Sequence, residues 1–188
     1  VTLDRGTLIV AATHAEARYV PTGTRVLITG IGKVRAATAL TRVLAGAGDE
    51  PPVQQVVNVG TAGALHDHHS GLFVPSTVIE HDISSTELRA MGYPIVDAWE
   101  MPGGDGSVLA SGDTFVADLA RRATLAARAD LVDMEACAIA HVSAEFGVPC
   151  RVVKVVSDGA DEAAMDWPSL VDDAARRLGR WFDSVTRV

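Results

Sequence analysis

The chain has 188 residues, 48% of them hydrophobic, and 24 acidic side chains against 16 basic ones give a formal net charge of −8. That length suits one domain that buries roughly 70% of its unfolded surface, and no apolar run approaches the roughly 20 residues of a membrane helix. The acidic balance argues against nucleic acid or an anionic membrane as partner, because both require basic surface, and it favours a small, weakly charged or cationic ligand.

The opening residues, VTLDRG, lack the basic start and long apolar core of a secretory leader, so a cytoplasmic location is expected. Residues 8–12 (LIVAA) predict a buried first strand, and residues 25–29 (RVLIT) a second after the turn chemistry of Pro21, Thr22 and Gly23. A helix is predicted from Lys33 to about Ala45, stopped by the glycines and prolines of residues 46–52. Residues 53–58 predict a third strand running into the turn Gly60-Thr61-Ala62-Gly63, and residues 72–80 another, with Pro75 at an edge or bulge. Residues 81–106 carry weak periodicity and several Gly and Pro, which predicts an irregular binding or partner-contact segment. Short strands at 108–111 and 131–133, helices at 116–127 and 134–146, a strand at 151–156 and an amphipathic helix at 166–185 complete the chain. Cys137 and Cys150 lack metal-type spacing and read as buried thiols rather than a disulfide.

Strands alternating with helices predict an α/β fold, a three-layer sandwich around a twisted, mostly parallel or mixed sheet, with residues 1–188 as one domain. Ligands of such folds gather at the carboxyl edge of the strands. There the sequence places Glu16, Gly30-Ile31-Gly32, Gly60-Thr61-Ala62-Gly63, Asp113, Asp133-Met134-Glu135 and Ser157-Asp158, rich in acids and glycines and nearly devoid of bases.

Neither glycine turn is a full dinucleotide or P-loop fingerprint, so each alone reads as a tight turn; beside the acids they read as backbone that approaches a neutral ligand closely. Glu135 opens a helix, where the dipole favours a carboxylate, and it also stands where a ribose diol could bind. Asp158 ends an apolar strand, a costly place for a carboxylate unless it is paired or protonated; a helix N-cap is the competing role.

The ordered segments TGIGKV (29–34), NVGTAG (58–63), ASGDTF (110–115), DMEACAIAHV (133–142) and VSDGAD (156–161) resemble the methylthioadenosine/S-adenosylhomocysteine nucleosidases of the purine nucleoside phosphorylase superfamily. The resemblance implies a phosphorylase/hydrolase-like fold and hydrolysis of a purine–ribose bond with no metal or organic cofactor. It implies that Asp158 protonates purine N7 with Ser157 orienting it, that Glu16 activates water and that Glu135 holds the ribose hydroxyls. Met134 would pack on the sugar, Phe115 would stack on the base, the Val116 backbone would read the base edge, and Ile31, Thr61, Ala62 and Gly63 would line the site. Carboxylates around a developing oxocarbenium-like cation suit that reaction, and a desolvated Asp158 with a raised pKa would serve as general acid. Phosphorylases of the superfamily carry an Arg just before the glycine turn; Asn58 stands here instead, and Glu16 would repel phosphate, so water is the expected nucleophile. Arg18 and Lys33 read as solvated helix residues.

The chain departs from the family in its shortened loops, in Thr13 where Met is usual, in Lys154 where Arg is common, and in lacking a Phe near Met91. These leave the 5′-substituent open, so alternatives are a sister nucleosidase of the futalosine hydrolase type, a purine nucleoside phosphorylase, or a nucleoside-binding protein without catalysis. Asp rather than Asn at 158 leans toward a 6-aminopurine. A homodimer is expected, with a partner loop near the 5′-pocket drawn from residues 81–106, Trp99 included. His66, Asp67, His68 and His69 read as a solvated loop rather than a metal site, and His141 as a core or packing histidine.

Overall fold

The computed structural model describes residues 3–46 and 51–186. Its strands are β1 (Thr7–Ala11), β2 (Arg25–Ile28), β3 (Gln55–Ala64), β4 (Leu72–Phe73), β5 (Thr77–Glu80), β6 (Ala98–Glu100), β7 (Val108–Ser111), β8 (Leu131–Asp133) and β9 (Cys150–Asp158). Its helices are α1 (Lys33–Leu44), α2 (Ser85–Ala90), α3 (Leu119–Ala126), α4 (Ala136–Glu145) and α5 (Trp167–Thr186), with a short 3₁₀ turn at Glu162–Asp166. Among the described residues the nine strands form one mixed sheet. β1 pairs in parallel with β2 and β3, β3 with β9, and β7 with β5 and β8, whereas β3–β8, β4–β9 and β5–β6 are antiparallel.

The period-two geometry of a strand explains the layers. In β1, Leu8 and Val10 face one way and pack with Ala36 and Leu40 of α1 and Ile139 and Val142 of α4. Ile9 and Ala11 face the other way, with Val57, Val59, Val153 and Val155, onto Ala174, Leu178 and Phe182 of α5. A sheet apolar on both faces needs helices on both, which gives the three-layer α/β sandwich. The Ala-rich α4 is buried along most of its length. α5 is amphipathic, and its outer face carries the i,i+4 pairs Arg176–Asp172 and Arg177–Asp173. No helix among the described residues is long and apolar enough to cross a membrane.

Several elements depart from expectation. β3 does not stop at Asn58 but continues through the glycine segment to Ala64, because β9 supplies ladder partners as far as Gly63 and β8 pairs with Gly63 and Ala64. The 72–80 run divides into β4 and β5 around Val74, Pro75 and Ser76. Residues 81–106 hold α2 and the edge strand β6. α3 starts at Leu119 because the Asp118 side chain caps it by accepting from Arg121 N at 2.8 Å. α4 begins at Ala136, after Met134 and Glu135. The stop of α1 falls at Gly46, whose φ of 74° suits a glycine C-cap; residues 47–50 of that predicted stop, like Val1 and Thr2 of the opening, lie outside the described residues.

Candidate active site

The carboxyl ends of β1, β3, β8 and β9, with the loop after β7, surround a cavity of about 370 Å³, a volume typical of small-molecule sites. Glu16, Ile31, Thr61, Ala62, Gly63, Phe115, Val116, Met134, Glu135, Ser157 and Asp158, all singled out from the sequence, line it together. No Lys, Arg or His does so among the described residues.

Glu16 sits in a series of turns after β1 and is 5% exposed. Oε1 accepts hydrogen bonds from Thr61 N (2.9 Å) and Thr61 Oγ1 (3.1 Å), and Oε2 from Thr13 N (3.0 Å) and Thr13 Oγ1 (2.9 Å). That set fixes a buried carboxylate in one orientation. Gly60 makes the approach possible, since a Cβ there would lie 2.7 Å from Glu16 Oε1. Gly63 does the same for Asp158: a Cβ would lie 3.1 Å from its Oδ1, and the β3–β9 register shifts at this point. The glycines of β3 therefore let both acids approach the strand closely.

Asp158 accepts from Ser157 Oγ (2.7 Å) at Oδ2 and from Ala160 N (2.9 Å) at Oδ1. The second bond depends on Ala160 adopting φ 51°, a left-handed conformation at a buried non-glycine residue.

Glu135 accepts from Gly32 N at 2.8 Å. Burial, followed by the neighbouring Asp133 carboxylate, pushes its carboxyl up to about 7, against the opposing pull of Lys154 and the Gly32 N–H. Asp133 accepts from Ala136 N at the start of α4 and pairs with Lys154. Burial alone would lower the Lys154 pKa, but Asp133, Glu135 and Glu16 hold it above its ordinary value, so it stays an ammonium.

The Gly30-Ile31-Gly32 turn leads into α1 as expected, with φ of 83° at Gly30 and 98° at Gly32. Two amides there are bonded within the protein: Gly32 N donates to Glu135 and Lys33 N to Asp113 Oδ1 (2.8 Å). Lys33 is not a solvated helix residue, because Nζ lies 2.6 Å from both Glu80 Oε1 and Asp82 Oδ1. Arg18 does stand at the surface, paired with Asp172.

Four residues that shape the site had no role assigned from the sequence alone, beside the further lining residues Ala12, Thr114, Val132, Asp133 and Ala164. Thr13 holds Glu16, Lys154 sits beneath the acids, and Met165 and Trp167 wall the cavity, Trp167 Nε1 donating to Thr61 Oγ1 at 2.8 Å. Lys154 had a signal, a lone charge inside the apolar run VVKVV, which is tolerable only if paired. Trp167 had none beyond an aromatic at a helix start. The Cys137 and Cys150 thiols are unbridged and burial pushes both up to about 12, so neither is a nucleophile at neutral pH. His66, His68 and His69 pack ring to ring, and no group of three metal-type side chains converges among the described residues. His141 is exposed rather than core, edge-on to Trp99.

Comparison with known proteins agrees with this geometry. The Phosphorylase superfamily family model matches residues 106–187. A 5′-methylthioadenosine/S-adenosylhomocysteine nucleosidase of Actinobacillus succinogenes is 33% identical over 80% of this chain and 75% of its own length. An aminodeoxyfutalosine nucleosidase of Helicobacter pylori is 29% identical over 82% of this chain and 76% of its own. The crystal structure of a variant Helicobacter pylori nucleosidase with 5′-methylthioadenosine in its active site is similar with a TM-score of 0.80 and 25% identity, covering 95% of this chain and 96% of that one.

Proposed function

The chain belongs to the 5′-methylthioadenosine/S-adenosylhomocysteine nucleosidase family of the phosphorylase superfamily and is a purine nucleosidase, an N-glycosyl hydrolase; on that premise we propose that it hydrolyses a 5′-modified adenosine through the residues assembled above. Asp158, oriented by Ser157, gives a proton to N7 as the C1′–N9 bond breaks and its electron pair leaves with the base. Glu16 takes a proton from the water whose oxygen attacks C1′, so water and nucleoside become free adenine and the ribose moiety. Glu135 accepts hydrogen bonds from the ribose hydroxyls and Met134 packs on the sugar. Phe115 stacks on the base, the Val116 backbone reads its edge, and Ile31, Thr61, Ala62 and Gly63 complete the lining.

The observation that carries this reading is the charge of the cavity. Glu16, Glu135 and Asp158 surround it without a basic side chain among the described residues, and two amides at the start of α1, those of Gly32 and Lys33, are already bonded to Glu135 and Asp113. That environment favours a cationic ribosyl transition state and disfavours a phosphate dianion.

The same reading takes residues 1–188 as one nucleosidase domain, supported by the continuous sheet. It takes the protein as a cytoplasmic enzyme, supported by two unbridged cysteines. It also takes it as a homodimer. Met91, Tyr93 and Val96 of the 81–106 segment are exposed apolar side chains, as are Ile31, Val34 and Leu119, and they offer surface to a second copy.

The test is release of free base from methylthioadenosine, adenosine, inosine and futalosine, each with and without phosphate. Phosphate-independent release of adenine from methylthioadenosine is expected. Phosphate-dependent release would overturn hydrolysis, release from futalosine alone would move the substrate to the sister class, and binding without release would leave a binding protein.

A further inference from the structure

Lys33, Asp82 and Asp113 close a ring that touches none of the cavity. Lys33 N donates to Asp113 Oδ1 (2.8 Å), Asp113 N donates to Asp82 Oδ2 (2.8 Å), and Asp82 Oδ1 receives Lys33 Nζ (2.6 Å). Glu80, at the end of β5, adds a second carboxylate on Nζ at 2.6 Å. The Lys33, Glu80 and Asp82 side chains are only 21%, 18% and 20% exposed. Water therefore screens the charges of Lys33, Glu80 and Asp82 less than those of a surface pair, whereas Asp113 stands exposed.

Two of its corners, Lys33 and Asp113, adjoin residues that meet the site. Gly32, beside Lys33, gives its N–H to Glu135, and a Cβ there would lie 3.0 Å from Asp113 Oδ1. Thr114 and Phe115 follow Asp113 directly and line the cavity. Phe115 is 47% exposed, so little core packing holds its ring; its place depends on the backbone it is attached to. Gly112 brings that backbone close, since a Cβ there would meet Asp82 Cγ at 2.7 Å. Two of the ring's three bonds start from backbone amides, so a shift at one corner displaces the other two.

We propose that Lys33 is a positioning residue for nucleoside binding: through Asp82 and Asp113 it fixes the spacing between the Phe115 wall and Glu135. The proposal rests on Phe115 stacking on the base and Glu135 holding the ribose. Loss of the ammonium leaves Glu80 and Asp82 facing each other without a counter-ion, and the loop carrying Asp113 and Phe115 moves away. The base meets that wall in both ground and transition states, so the loss falls on KM rather than kcat.

The experiment measures kcat, KM and the inhibition constant of free adenine for Lys33→Met, Lys33→Arg, Phe115→Ala and the double variant Lys33→Met/Phe115→Ala. Lys33→Met should raise KM and the adenine constant by about tenfold, as loss of a base–aromatic stack does, with kcat little changed. Lys33→Arg should restore most of the loss. In the Phe115→Ala background Lys33→Met should add nothing, because both changes remove the same contact. If Phe115→Ala alone leaves KM unchanged, the stacking role of Phe115 is wrong. If Phe115→Ala raises KM while Lys33→Met has no effect, or multiplies its full factor on top, the positioning role of Lys33 is wrong. Should Lys33→Met fail to fold, Asp82→Asn keeps an oxygen for Asp113 N while removing the charge that faces Lys33, and the same outcomes apply.

Discussion

Lys154 Nζ lies 2.8 Å from Asp133 Oδ2, both side chains are 2% exposed, and the pair sits beneath the acids of the cavity. A buried pair is weak evidence of stabilisation, but breaking one half is costly because the remaining charge has no water.

Lys154→Met should therefore lower unfolding stability by about 3–5 kcal/mol, read from urea or thermal melts. Adding Asp133→Asn, which keeps an oxygen for Ala136 N, should recover about half of that loss by removing the orphaned carboxylate. A double variant no more stable than Lys154→Met would show that the pair acts through packing rather than charge.

Glu135 yields a pH prediction. Its carboxyl is raised from 4.5 to about 7 by burial and by Asp133, so it is neutral below that pH and ionised above it. Only the carboxylate accepts hydrogen bonds from both ribose hydroxyls, so KM should fall as pH rises through about 7. Glu135→Gln should flatten that limb and raise KM by roughly tenfold, as loss of a charge-assisted bond does. The native state binds the extra proton between 4.5 and 7, so stability from this group is full below 4.5 and declines as pH rises toward 7. That decline is on the order of 3 kcal/mol, and Glu135→Gln should remove it from a pH series of melts.

Asp158→Asn should reduce kcat by roughly 10²–10⁴ with an unchanged melting temperature. Asparagine can still accept from Ala160 N through its oxygen and donate to Ser157 Oγ, so the local structure survives while the transferable proton does not. Full activity would remove Asp158 from the N7 role.

Gly60→Ala should cost about a hundredfold in kcat, the usual penalty for moving a catalytic group by an ångström. The new Cβ would sit 2.7 Å from Glu16 Oε1, and Glu16 cannot yield without breaking bonds to Thr13 and Thr61. Binding of free adenine, which depends on Phe115, Val116 and Asp158 on the base side, should be retained.

What the sequence made legible followed from local rules. The apolar runs of β1 and β9 and the amphipathic period of α5 were readable because strand and helix periods leave direct marks. Asp133 and Asp158 were readable because each ends a strand, and Glu135 because it opens a helix, at one sheet edge; Glu16 lies among turns beyond β1, and its role came from the family resemblance. The continuation of β3 through Gly60 and Gly63 was not, because two glycines in four residues look like a turn, and only the partners β8 and β9 extend the ladder there. Nor was the bonding of Lys33 and Lys154, whose acidic partners Glu80, Asp82 and Asp133 lie far away in the chain. Spacing says nothing about which distant carboxylate a lysine will meet.

β3 has one more consequence, and it concerns time. Its pairing with β9 sets Val56 opposite Cys150 and Gly63 opposite Asp158, so Thr61 with its bound Glu16 meets Asp158 only after nearly the whole chain has been assembled. Contacts this distant in sequence form late and slowly. Base release is thus a sensor of complete folding: during refolding it should return after helical signal does, and a ribosome-held chain that has not yet extruded β9 should leave nucleosides untouched.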